Sequence, residues 1–113
     1  MVWGTGTPRR EFLYVDDLAD ACIHLMKTYS SPELVNIGTG EDITIAEFAR
    51  VVAATVGYRG EISFDSSRPD GTPRKLLDVN GLAKLGGRAT TPLEDGIKLA
   101  YQAYLSETKQ AAE

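Results

Sequence analysis

The chain has 113 residues, 42% hydrophobic and 25% charged, with a net charge of −4. These values fit one small globular domain rather than a disordered or fibrous chain. The acidic balance excludes the concentrated basic face of a duplex nucleic-acid binder, no apolar run approaches the roughly 20 residues of a membrane span, and no signal pattern opens the chain. A cytoplasmic protein is therefore expected, with no nucleic-acid or membrane partner. With one cysteine, Cys22, and one histidine, His24, neither a disulfide framework nor a soft-ligand metal cluster is expected.

The opening run Met1 to Pro8 is turn-rich and reads as a start in mid-protein. Phe12 to Val15 is a short β-prone run, and Asp16-Asp17 then supply an N-cap and first-turn charge for a helix over Leu18 to Tyr29. Cys22 lies on that helix's apolar stripe and is expected to be a buried, inert thiol; His24 is expected to be structural or surface-lying. Leu34 to Ile37 reads as a second strand, closed by Gly38-Thr39-Gly40.

Thr44-Ile45-Ala46-Glu47 matches a capping box, and Ile45, Phe48, Ala49, Val52 and Val56 repeat at helical spacing up to Gly57. Ile62 to Phe64 predicts a third strand, followed by a long polar loop from Asp65 to Lys75. A brief helix around Asn80 to Leu85 ends at Gly86-Gly87, and Thr91-Pro92-Leu93-Glu94 opens a last helix running to about Leu105. Short strands alternating with helices, without repeats or linkers, predict a single α/β (α+β-like) domain over 1–113.

Three polar groups are candidates for chemistry: Arg9-Arg10 near Trp3 and the Gly4/Gly6 turn, Asp16-Asp17, and the loop holding Arg68, Asp70, Arg74 and Lys75. Arginine and lysine from separate loops can neutralise a diphosphate, the one as a planar fork and the other as a point charge. Solvated surface is the plainer role for such cations, capping for Asp16-Asp17 and packing for Trp3, which is alternatively a stacking platform. The glycine pairs never extend to a dinucleotide fingerprint, there is no Walker loop or nucleophile elbow, and no tyrosine has a lysine four positions later. No cofactor site and no catalytic set are expected in this chain alone.

Val2 to Ala19, with its Trp-Gly-Thr-Gly, Arg-Glu-Phe and Val-Asp-Asp elements, resembles a segment of extended short-chain dehydrogenase/reductases acting on nucleotide sugars. Phe64-Asp65 with Arg68-Pro69-Asp70-Gly71-Thr72-Pro73-Arg74-Lys75-Leu76-Leu77-Asp78 is similar to the stretch typical of the GDP-L-fucose synthase family, and the likeness covers roughly residues 2 to 106. It implies a carboxy-terminal substrate-binding domain from which the Rossmann domain is absent. The family enzyme epimerises and then reduces GDP-4-keto-6-deoxy-D-mannose with NADPH, using a cofactor fingerprint and catalytic residues that lie upstream. Carried over by position, Trp3, Arg10 and Asp70 contact the GDP-sugar and Lys75 sits near its phosphates; Cys22 and His24 match no catalytic residue. The missing Rossmann domain is the implied partner, and because family pairing uses upstream helices, a homodimer through this chain is not expected. A standalone GDP-sugar-binding module and a part of another nucleotide-sugar epimerase or dehydratase are the alternatives.

Overall fold

In the computed structural model, which describes residues 1–112, five two-residue strands and four helices alternate along the chain. They are β1 (Val2–Trp3), β2 (Arg9–Arg10), α1 (Val15–Thr28), β3 (Ile43–Thr44), α2 (Ile45–Val56), β4 (Phe64–Asp65), β5 (Arg74–Lys75), α3 (Asn80–Lys84) and α4 (Leu93–Ala112). β1 pairs in parallel with β4. β2 is the centre of a second sheet, antiparallel to β3 and parallel to β5. The mixed α/β character read from the sequence is present. No helix among the described residues is long and apolar enough to cross a membrane.

α2 begins as its sequence dictates: the Thr44 hydroxyl accepts from the Glu47 amide at 3.1 Å, and Gly57 closes the helix at φ +77°, a left-handed conformation that favours glycine. Other boundaries moved. The strand expected at Phe12 to Val15 forms earlier, at Arg9–Arg10, because those residues are the ones with partners on both sides. Leu34 to Ile37 is not a strand and Leu34 is 99% exposed; β-prone side chains do not form a strand without a neighbouring backbone to bond. The strand expected at Ile62 to Phe64 is shorter and starts two residues later, at Phe64–Asp65. α4 continues to Ala112, beyond the expected end near Leu105.

One cap also differs from expectation. Tyr14, not an aspartate, occupies the N-cap of α1 and makes no side-chain capping bond. α4 begins at Leu93, after Pro92, and the Thr91 amide and hydroxyl both donate to Asp17. Cys22 is exposed rather than buried, since the side of α1 that carries Ile23 and Met26 is uncovered as well.

The fold is a flat slab of 48 × 42 × 20 Å with a Cα radius of gyration of 16.9 Å, against about 13 Å for a compact domain of this length. Its accessible surface is 8316 Å², where a folded monomer of this mass exposes about 6,100 Å². The buried hydrophobic side chains are Ala21 and Leu82. Phe12 and Phe48 stack with centroids 3.9 Å apart and join the β2–α1 connection to α2.

Candidate functional site

The polar loop from Asp65 to Lys75 folds back over the start of the chain and is pinned at both ends. At its centre Asp70 takes the Thr5 amide at 2.8 Å and the Thr5 hydroxyl at 2.7 Å, one on each carboxylate oxygen. The Thr5 hydroxyl and amide together hold the Asp70 carboxyl below its usual range. Gly4 permits this approach: its φ of +88° disfavours any side chain, and a Cβ there would collide with the Asp70 carboxylate.

At the other end of the loop, β5 lies beside β2 in register, Arg9 against Arg74 and Arg10 against Lys75. Four cations thus share two adjacent rungs, and because successive strand residues point to opposite faces, they sort into two pairs. Arg9 and Arg74 converge on Asp42, whose two oxygens accept from their Nε atoms at 2.9 and 2.6 Å. The Asp42 side chain is only 5% exposed. Burial pushes its carboxyl up, but the two guanidinium groups outweigh burial and hold it below the ordinary range.

Arg10 and Lys75 occupy the opposite face. Arg10 Nη1 donates to the backbone carbonyls of Arg9 at 2.7 Å and Thr72 at 2.6 Å, so one corner of the guanidinium is fixed to the loop. Its remaining N–H groups are available to a planar acceptor, and Gly71 leaves room for Nη2. Lys75 is exposed, and neither residue makes an ion pair among the described residues.

Trp3 is 67% exposed, and the Arg68 guanidinium lies over its ring, 4.8 Å from the centroid. Arg68 also approaches Asp65 at 3.7 Å. Of the four residues singled out in the sequence, the fold therefore brings Arg10 and Lys75 onto one rung. Asp70 is placed against the Gly4–Thr5 turn, and Trp3 beneath Arg68. Asp42 and Thr5, which organise this arrangement, carry no local signal, since a carboxylate's partners on other strands are invisible in a linear pattern.

The Gly38–Gly40 turn is already filled by an anion of the chain itself. The Glu11 carboxylate accepts from the Gly40 amide at 2.6 Å and stands where a Cβ on Gly38 would be. Those residues do not fit a dinucleotide pyrophosphate, which needs such amides free and no carboxylate beside them. Two apolar grooves lie elsewhere on the surface, one between Phe12–Val15 and α4, the other along α2 with Val2, Tyr58 and Ile62. Neither is lined by Trp3, Arg10, Asp70 or Lys75.

Residues 1–38 match the NAD dependent epimerase/dehydratase family. Over 105 residues the chain is 52% identical to GDP-L-fucose synthase 1 of Arabidopsis thaliana, covering 93% of this chain and 32% of that protein. It is 50% identical to the GDP-L-fucose synthase of Escherichia coli K12, again over 93% of this chain and 36% of the relative. A solved GDP-L-fucose synthetase of Naegleria fowleri, bound to NADP, superposes with a TM-score of 0.89 at 28% identity, covering 96% of this chain and 35% of that one. The chain thus spans about a third of the length of the relatives it matches.

Proposed function

We propose that the chain is the substrate-binding domain of a GDP-L-fucose synthase and holds the diphosphate of a GDP-sugar with Arg10 and Lys75, a reading supported by its identity of about half to such enzymes over a third of their length. The observation that carries this reading is the Arg10–Lys75 rung. It presents a fork donor and a point charge on one face, while the neighbouring Arg9 and Arg74 are tied to Asp42 on the other, where the carboxylate offsets half of their charge. Trp3 offers a ring for stacking on base or sugar. Asp70 ties the loop to Thr5, and each of its oxygens, engaged once, keeps acceptor capacity for the GDP-sugar contact that the resemblance implies.

The complete enzyme epimerises GDP-4-keto-6-deoxy-D-mannose and reduces its ketone with NADPH. In this reading the proton transfers and the hydride transfer fall to a companion Rossmann domain, in keeping with a Gly38–Gly40 turn that Glu11 already fills. This domain's share is to bind and orient the nucleotide, fixing the sugar against the chemistry supplied opposite. The slab shape and the roughly 2,200 Å² of surface beyond that of a compact monomer support a domain whose broad faces are covered by the rest of the enzyme.

Calorimetric titration of the chain with GDP tests the reading. Arg10→Ala and Lys75→Ala are each expected to weaken binding about tenfold, the scale of one charge-assisted contact. Guanosine, which lacks the phosphates, is expected to be insensitive to both. A folded chain that takes up no GDP would overturn it.

A further inference from the structure

We infer that Asp42 is a specificity-determining residue: by holding Arg9 and Arg74 on the far side of the β2–β5 rungs, it limits the ligand-facing charge to Arg10 and Lys75 and so selects a nucleoside diphosphate ester over a nucleoside triphosphate. This rests on the diphosphate reading of the Arg10–Lys75 rung.

The geometry is specific. Asp42 immediately precedes β3, and both of its oxygens are committed, one to each arginine, at 2.9 and 2.6 Å. The arginines are 41% and 61% exposed, whereas the carboxylate is nearly closed off, so the anion sits behind its two cations. One residue further along each strand are Arg10 and Lys75.

Without Asp42, two uncompensated guanidinium groups would stand next to the anion site, on strands that fix their backbone within one residue of the ligand-facing pair. The attraction they add grows in proportion to the charge of the ligand. A diphosphate ester carries one negative charge on each phosphate and is matched by one arginine and one lysine. A triphosphate carries more charge than that pair can match, and it gains most from the extra cations. Selection here follows from withholding attraction from the wrong ligand as much as from supplying it to the right one.

The test is calorimetric titration of the chain with GDP-mannose and with GTP at one fixed ionic strength, comparing the ratio of the two affinities. In Asp42→Asn the ratio is expected to move toward GTP by at least about fivefold, whatever happens to the absolute affinities. Arg74→Gln, an exposed substitution that keeps the fold if Asp42→Asn does not, removes one of the two cations on Asp42 and leaves a neutral Arg9–Asp42 pair, and is expected to move the ratio the other way. The double variant Asp42→Asn/Arg74→Gln is expected to return toward the parent ratio. If both ligands weaken equally, or the ratio is the same in all variants, Asp42 is a structural ion-pair partner only and the inference fails. If the folded parent chain binds neither ligand, the diphosphate reading itself fails and takes this inference with it.

Discussion

Thr5 and Asp70, sixty-five residues apart, form a two-pronged pair in which the Thr5 amide and hydroxyl each satisfy one carboxylate oxygen. That contact holds the Asp65–Lys75 loop over the Gly4 turn, so Asp70 governs the loop that delivers Thr72 and Lys75 to Arg10.

Because the folded Asp70 carboxyl lies below its ordinary value of 3.8, its contribution is complete above that value and is lost as the pH falls through the lower folded value. Trp3, the single tryptophan, lies against Arg68 of the same loop and reports its release. In a fluorescence titration from neutral to acid pH, the parent chain is expected to show a loop transition below the usual carboxylate range. Thr5→Val is expected to shift that transition to higher pH; coincident curves would refute the role given to the pair.

Asp17, unlike the exposed Asp70, is a buried carboxylate with a different task. Its two oxygens accept from the amides and hydroxyls of Thr90 and Thr91, tying α1 to the approach of α4. Burial raises its carboxyl, but these donors outweigh burial and hold it below the usual range. Asp17→Asn turns one acceptor oxygen into a donor facing donors and is expected to cost about 1–3 kcal/mol in urea denaturation, with GDP affinity per folded molecule unchanged.

Arg10→Lys keeps the charge but loses the planar fork and the fixed corner at Arg9 and Thr72. GDP binding is expected to fall nearly as far as in Arg10→Ala, with the salt dependence retained. Full retention of affinity would mean that charge alone carries the contact.

Cys22 is exposed on α1, so one equivalent of a thiol reagent such as Ellman's is expected to react with the native chain without denaturant. Protection until unfolding would show that this side of α1 is covered in solution.

The second helix was readable in full because its information is local. Thr44 caps, Glu47 supplies the amide three residues on, and Gly57 takes the left-handed turn, all within one stretch of chain. The strands were not readable in place, because their partners lie far along the chain. Leu34 to Ile37 has the composition of a strand and Arg9–Arg10 does not, yet only the latter pairs, because a strand is a relation between two backbones. The same limit applied to the site. Arg10 and Lys75 were identifiable by type and by resemblance, while Asp42 and Thr5 were not, because nothing near them in the sequence marks what they hold.

The sequence by itself determined the helices, the caps of α2, the inventory of charge, and the family likeness carried by Trp3 to Asp17 and Phe64 to Asp78. Tertiary structure decided which two of four neighbouring cations pair with a carboxylate and which two make no ion pair among the described residues. That choice depends on strand register, which sets the face of each side chain, and on a carboxylate that reaches both Arg9 and Arg74 from the residue preceding β3.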